Sequence, residues 1–115
     1  MLRKSVTLLS EDGVTVKVDA LIDPSAAFGL FPSSLLERLG ARPFERRMGR
    51  QVGQVKATLG DHVGHIISGF GEEDCEPRLG FHNLASLFVQ VNEKGGDLEP
   101  LVVQYHEHPK LEIDV

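Results

Sequence analysis

The sequence predicts a mainly β domain with two short helices, and three observations lead to this class. From Val14 to Ala20, apolar residues alternate with polar ones, the period-two pattern of a strand with one buried face. Turn residues such as Asp12-Gly13 separate short apolar runs, which is typical of hairpins. Apolar residues at helical spacing occur in two short stretches, 33–40 and 81–88.

The length and composition predict one packed domain. The chain has 115 residues, 41 % of them hydrophobic, which is enough for a single core and too little for two. We therefore expect one domain over 1–115, with its core at about 14–103 and a polar tail over 104–115.

The first half is predicted to contain three strands and then a helix. Asp12-Gly13 is the hairpin turn, Ser34 and Glu37 form a capping box, and Gly40 ends the helix in a left-handed conformation. After the helix, an irregular segment is expected to begin at Arg42-Pro43 and to precede the next predicted strand. The predicted elements are strands at 5–9, 14–22 and 26–31, and a helix at 33–40.

The second half is predicted to contain two hairpins separated by a helix. Gly60-Asp61 is the turn of the first hairpin and residues 93–97 are the turn of the second. Residues 68–77, which are polar and acidic, are expected to form a loop. The predicted elements are strands at 51–59 and 62–67, a helix at 81–88, and strands at 88–91 and 98–103.

Charge and hydropathy exclude several classes of function. Twelve basic against seventeen acidic residues leave a net charge of −5, which disfavours binding to a nucleic-acid backbone. No apolar run approaches the roughly 20 residues that cross a bilayer, and Glu11 and Asp12 interrupt the short N-terminal apolar run before a signal-like segment forms. We expect a cytoplasmic protein without nucleic-acid or membrane partners. Cys75 is the only cysteine, so an internal disulfide is impossible, and its acidic neighbours predict a raised thiol pKa.

The triplet Asp23-Pro24-Ser25 is the strongest candidate for chemistry. An apolar run ends at Asp23, the chain turns, and Ala26-Ala27 begins another apolar run. Two buried strands would hold such an aspartate at the tip of a loop, where a partly dry setting can tune its pKa. The simpler interpretation is a loop aspartate that caps its own turn.

The order of these segments resembles the retropepsins, the single-domain aspartic peptidases, over about residues 14–103. The resemblance is carried by the strand that enters Asp23, by Ala26-Ala27-Phe28 after it, by the helix after Pro32, and by Arg78-Leu79-Gly80-Phe81. It implies a closed, twisted β-barrel of the acid-protease type with two short helices. It also implies a homodimer in which one aspartate from each chain shares a proton.

The resemblance assigns roles to individual residues. It implies that Asp23 is the catalytic residue and that a β-hairpin flap closes over a bound, extended peptide or protein segment. It implies no metal and no cofactor. The substrate-binding residues would be Pro24, Ser25, Ala26, Ala27, Met48, Gly49 and Arg50.

The same positions depart from the family pattern, and two functions stay open. The family triplet is Asp-Thr-Gly or Asp-Ser-Gly, whereas Pro24 has no hydroxyl or N–H to donate and Ser25 adds a side chain where glycine is usual. The candidate flap tip, 48–53, is short. One hypothesis is a homodimeric aspartic-type endopeptidase. The alternative is a non-catalytic dimeric module that binds an extended peptide or protein by strand addition.

Other clusters have simpler interpretations. His62, His65, His106 and His108 are more consistent with solvated histidines than with a metal site, because nothing makes them converge. A basic segment, 42–56, is either a solvated strand face or a rim that binds an acidic peptide or a phosphate. Pro109 and the acidic tail residues disfavour an interleaved terminal sheet, so a different dimer or a monomer stays possible.

Overall fold

A computed structural model describes residues 2–101, and over this range the fold is mainly β. Nine strands and two short helices lie within these residues, as the sequence class predicts. The first elements are β1 (Arg3–Leu9), β2 (Thr15–Ile22), β3 (Gly29–Pro32), α1 (Ser33–Arg38) and β4 (Pro43–Arg47). The others are β5 (Arg50–Leu59), β6 (His62–Gly71), β7 (Arg78–Leu79), α2 (Phe81–Ser86), β8 (Val89–Val91) and β9 (Leu98–Pro100).

Seven of the strands within residues 2–101 form one sheet in the order β1-β2-β7-β3-β6-β5-β4, and β8 pairs with β9 separately. β2 runs parallel to β7 and β3 runs parallel to β6, while the hairpin pairs are antiparallel. β1 also pairs with β5, so the sheet must curl to bring these two strands together. The helices lie against this sheet, α1 on β3 and β6, and α2 on β6.

The first hairpin forms as predicted because its alternating side chains fill the core. β1 and β2 pair with Val6 opposite Val18, and Gly13 occupies the left-handed region with a φ of 92°. The polar partners of the alternation, such as Asp19, stay exposed. The fully buried apolar residues come from most strands of the sheet and from the end of α2: Val6, Leu8, Ala20, Phe31, Ala57, Ile66, Leu79 and Leu87.

The predicted capping box of α1 is wrong. Pro32 is the N-cap residue and no side chain caps the helix locally. The N–H of Ser34 instead donates to Oε2 of Glu73, 3.1 Å away, so a carboxylate distant in sequence replaces the expected Glu37. The left-handed end at Gly40 is confirmed, with a φ of 80°.

Two strand segments were predicted as irregular chain or loop. β4 is exposed at all five residues and pairs only with β5 in the described part of the chain, so it has no buried face to produce a pattern. Residues 68–71, predicted as a loop, complete β6 and pair with β3 on one side, while 68 and 69 also pair with β5 on the other. Backbone hydrogen bonds hold this segment, and its small residues, Ser68, Gly69 and Gly71, give no apolar alternation around Phe70.

The second helix ends earlier than its apolar spacing predicts. Leu84 and Leu87 are buried as expected, whereas Phe81 and Phe88 are 58 % and 61 % exposed. Phe88 leaves the helix with a φ of 58°, so it belongs to the turn before β8. Of the predicted closing strand at 98–103, residues 98–100 form β9, and 102–103 lie outside the described residues. Over 2–101, no helix has the length and apolarity needed to cross a bilayer.

Candidate functional site

Asp23 lies immediately after β2, where that strand runs beside β7. Its N–H donates to the carbonyl oxygen of Leu79 over 2.9 Å, and the N–H of Leu21 donates to Pro77 over the same distance. Ile22 is 6 % exposed and Leu79 is fully buried, so core residues flank the aspartate on both strands. The side chain of Asp23 itself is 24 % exposed. A carboxylate therefore stands at the edge of the core, held by its backbone and open to solvent.

The turn after Asp23 is closed by the carboxylate itself. The N–H and the hydroxyl of Ser25 both donate to Oδ1 of Asp23, over 3.1 and 2.5 Å. The N–H of Ala26 donates to the backbone carbonyl oxygen of Asp23 over 3.1 Å. This is an Asx turn with an added serine hydroxyl. Pro24 is exposed at its tip and contributes no donor. Oδ1 of the Asp23 carboxylate is thus occupied by the two Ser25 donors.

Residues 26–28 were predicted to continue as a strand, but they form bends against the start of α2. The carbonyl oxygens of Ala26 and Ala27 accept from the N–H groups of Phe81 and His82, over 2.7 and 3.0 Å. A side chain at Gly80 would come within 2.7 Å of the backbone oxygens of this segment, so only glycine permits the approach. The N–H groups at the start of α2 therefore bind the carbonyl oxygens that a neighbouring strand would otherwise use, and they hold the aspartate turn in place. We call this set of contacts the clamp.

Asn83, a residue of α2, adds two hydrogen bonds to this clamp. It is fully buried, accepts from the N–H of Gly80 over 2.8 Å, and donates from Nδ2 to the carbonyl oxygen of Ile67 over 2.8 Å. These bonds tie α2 to β6. A buried amide with both ends paired is a strong positional constraint.

Arg78 provides a cation beside Asp23. Its Nη1 lies 3.7 Å from Oδ2 of Asp23, beyond hydrogen-bond distance but close enough for attraction. The pKa of Asp23 is lowered from its usual value, first by the Ser25 hydroxyl, against an opposing effect of burial, and further by the Ser25 N–H and by Arg78. A single copy of the chain therefore holds Asp23 as a carboxylate at neutral pH.

The hairpin formed by β4 and β5 projects over this turn. Met48 and Gly49 both have positive φ, 52° and 76°, as a tight two-residue hairpin turn of the primed type requires. Nη2 of Arg46 donates to the carbonyl oxygen of Gly49 over 3.0 Å and closes the tip. Met48 is 90 % exposed. The predicted short flap tip is thus a hairpin tip.

A groove of about 390 Å³ lies between the aspartate turn and this hairpin tip. Of the predicted substrate-binding residues, Ser25, Ala26, Ala27, Met48 and Arg50 line it, while Pro24 and Gly49 do not. Asp23 itself lies next to the groove, through its contacts with Ser25 and Arg78, and is not part of its lining.

Sequence reasoning gave no site role to Phe28 and Arg78, and it placed Arg47 only in a basic segment with two open interpretations. Arg47, Arg78 and Phe28 all line the groove. Cζ of Arg47 lies 5.5 Å from the centroid of the Phe28 ring. The His82 ring stacks on the same phenyl group at 5.5 Å, so a cation–aromatic stack links the hairpin to the aspartate turn. Two features of the sequence could have pointed to this region. One is an arginine directly before the Leu79-Gly80 motif, and the other is a polar residue, Asn83, within an apolar helix.

The remaining predicted clusters do not assemble in the described chain. Within residues 2–101, no three His, Cys, Asp or Glu side chains converge in a way that could hold a metal ion, and His106 and His108 lie outside that range. The pKa of Cys75 is raised, as predicted, but burial is the first cause and the charge of Glu72 comes second.

The sequence matches no protein-family model, and no curated protein is significantly similar to it.

Proposed function

We propose that this chain is a retropepsin-like protein of the aspartic-peptidase fold that acts as a homodimer, with Asp23 of each copy forming the catalytic dyad. The observation that carries the proposal is the placement of Asp23 on a clamped turn directly beside a groove and beneath a hairpin tip. The strand pairings also support a closed barrel, because they run from β1 through β2, β7, β3, β6 and β5 back to β1.

The proposed chemistry needs two carboxyl groups in contact. One Asp23 carboxylate removes a proton from a water molecule, which attacks the carbonyl carbon of the scissile peptide bond. The protonated Asp23 of the other copy donates to the carbonyl oxygen. The first Asp23 then passes the proton it took from water to the amide nitrogen, the C–N bond breaks and the amine leaves, while the second Asp23 takes back a proton from a hydroxyl of the tetrahedral intermediate, which becomes the carboxylic acid product. The hairpin tip that bears Met48 would cover the bound peptide and limit access of water.

A second function is favoured by the groups already bound to Asp23. A shared-proton dyad requires one carboxyl pKa to rise, whereas the Ser25 hydroxyl and Arg78 both lower the pKa of Asp23. Pro24 supplies no hydroxyl that would bond across the dimer axis. These features suit a non-catalytic module that uses the same groove to bind an extended peptide.

Peptide hydrolysis by matched variants tests the peptidase proposal. Wild type, Asp23→Asn and Asp12→Asn should be assayed with a broad library of fluorogenic peptides between about pH 3 and 7, where a shared-proton dyad operates. We expect turnover by wild type and by Asp12→Asn, and loss to background in Asp23→Asn. Activity should also fall on dilution in step with dimer dissociation, measured by analytical ultracentrifugation, because each site needs two copies.

The opposite result identifies the second function. If a wild-type dimer turns over no peptide in that range, the peptidase proposal is wrong. The non-catalytic module then predicts that wild type and Asp23→Asn bind the same peptides with similar affinity. A marked fall in affinity for Asp23→Asn would argue against the module.

A further inference from the structure

We propose that the groove beside Asp23 selects peptides with a carboxylate side chain, Glu or Asp, which its arginines bind. This inference rests on the proposed function for the ligand being a peptide, and it assigns the class of that peptide. Among the described residues, three arginines line the groove from three elements: Arg47 ends β4, Arg50 begins β5 and Arg78 begins β7. No acidic residue within 2–101 lines it.

The charge of this surface differs from that of the whole protein. The chain carries a net charge of −5, yet three arginine residues line one groove of about 390 Å³. Like charges brought together repel, so such a cluster is more favourable when an anion lies between its members. Each of these arginines already has one acidic neighbour outside the groove lining: Glu45 for Arg47, Glu72 for Arg50 and Asp23 for Arg78. Such solvent-screened pairs contribute little, so an acidic group entering the groove would add a further anion between the arginines.

The three guanidinium groups keep donors available for a ligand. Nη1 of Arg50 donates to the carbonyl oxygen of Phe70 over 2.8 Å, and Arg47 binds Glu45 through Nη2 over 2.9 Å. Nε of Arg78 is buried and has no hydrogen-bond partner in the described chain, and its nearest acid lies 3.7 Å from Nη1. Each guanidinium has five N–H donors, so most of them have no hydrogen-bond partner within residues 2–101, although the buried Nε of Arg78 is out of reach of a ligand.

The rest of the lining fits a carboxylate on a short apolar stem. Phe28, Leu30 and Val52 supply apolar surface next to the arginines. Glu has two methylene groups before its carboxylate, and a planar carboxylate matches the fork of a guanidinium in a bidentate pair. A glycine-rich loop of the kind that cradles nucleotide phosphates is not among the groove residues of the described chain.

The experiment measures binding of three fluorescent peptides to full-length Asp23→Asn protein by anisotropy. The peptides share the sequence Ala-Val-Xaa-Val-Ala, with Glu, Gln or Lys at the central position. Asp23→Asn is chosen so that hydrolysis cannot deplete the ligand. We expect the Glu peptide to bind at least about tenfold tighter than the Gln peptide, as charge-assisted hydrogen bonds imply, and the Lys peptide to bind most weakly.

Two arginine variants and one control locate the effect. Arg78→Gln, added to Asp23→Asn, should reduce the preference for Glu over Gln to less than about threefold, and Arg78→Lys should restore it only in part because lysine lacks the fork. Arg38→Gln makes the same change in charge on α1, outside the groove, and should keep the full preference. Urea unfolding confirms that each variant is folded.

Each outcome decides between the proposals. Equal binding of the Glu and Gln peptides, no measurable binding of the Glu peptide, or an equal loss in Arg38→Gln would each overturn the inference. Full displacement of the Glu peptide by equimolar inorganic phosphate would also overturn it, since the site would then hold any anion. Hydrolysis by wild type without a preference for acidic peptides removes this inference alone. A preference for Glu without hydrolysis removes the peptidase proposal alone.

Discussion

The protein contains two aspartate turns with similar local bonding and different surroundings. In the first, Asp12 accepts from the hydroxyl of Ser10 at the tip of the β1–β2 hairpin, and Asp12 is exposed. In the second, Asp23 accepts from the hydroxyl of Ser25, but core strands flank it, α2 clamps the turn, and a groove with three arginines lies beside it. The serine–aspartate bond is therefore common to both turns and does not by itself distinguish a site.

What distinguishes the second turn is the set of long-range contacts that fix it. The first turn is closed by residues within four positions of each other, such as Ser10 and Val14. The second depends on Gly80 and Asn83, more than fifty residues away. Perturbing both turns in the same way should therefore give unequal effects, and the following variants test that difference in decreasing order of size.

The largest difference is expected from adding one methyl group to each turn region. Gly80→Ala would place Cβ within 2.8 Å of three backbone atoms of Ala26 and Phe28, which cannot retreat, and we expect a loss of about 3 kcal/mol in the free energy of unfolding. Gly13→Ala meets no atom within 4 Å and bears only the strain of its φ of 92°, which costs about 1 kcal/mol. Urea denaturation with matched m-values measures both, and equal losses would contradict the comparison.

Removal of the buried amide should give the next largest effect. Asn83→Ala leaves the N–H of Gly80 and the carbonyl oxygen of Ile67 without their partners, and we expect a loss of about 2 kcal/mol. Gln54→Ala, an exposed position on β5, is the control and should change stability by less than about 0.5 kcal/mol. Thermal and urea unfolding of the two variants would show whether the clamp on the second turn depends on this residue.

A smaller effect concerns the titration of Asp23. Because its pKa is lowered in the folded protein, ionised Asp23 stabilises the fold above its unfolded pKa, and this contribution disappears as pH falls through the folded pKa. Ser25→Ala removes the largest cause, so the pKa of Asp23 should rise and the acid-side slope of stability should decrease. Carboxyl chemical shifts followed against pH give the pKa directly. Ser10→Ala should leave the pKa of Asp23 unchanged, and a change in that pKa would show that the two turns are coupled.

The smallest effect is expected at the first aspartate. Asp12→Asn retains the turn and touches no long-range contact, so unfolding free energy should change by less than about 1 kcal/mol and peptide binding should be the same as in wild type. Isothermal calorimetry with the Glu peptide, with Asp23→Asn present in both proteins to prevent hydrolysis, checks the second part. A loss of binding comparable to that of an arginine variant would mean that the hairpin tip at Asp12 belongs to the binding surface.

The parts of the fold that sequence predicts well are those with a one-sided burial pattern. β2 alternates clearly and β1 only weakly, and the two pair as expected, with Val6 and Ala20 in the core. β4 could not be predicted in this way because it is exposed on both faces, and residues 68–71 of β6 carry one apolar side chain, Phe70, among small residues. Their strand conformation comes from pairing with neighbours, which is a property of the assembled sheet.

The candidate site was predictable only in its local part. The turn at Asp23 follows from turn residues and apolar runs, whereas the tip at Met48 was expected only because the family resemblance implies a flap. The arginines of the groove could not be brought together from sequence, because Arg47 and Arg78 are 31 positions apart and meet through the parallel pairing of β2 with β7 and the hairpin geometry. Asn83 carries a weak signal, a polar side chain within an apolar helix, but its partners are defined only by the fold.

The residues of the exposed strand β4 bear on how the protein avoids aggregation. An unpaired strand edge normally recruits edges of other molecules and promotes aggregation. β4 begins with Pro43, which has no N–H to offer, and it carries Glu45, Arg46 and Arg47 in sequence. These residues make indiscriminate edge pairing costly, so β4 can form an edge of the sheet without nucleating fibrils.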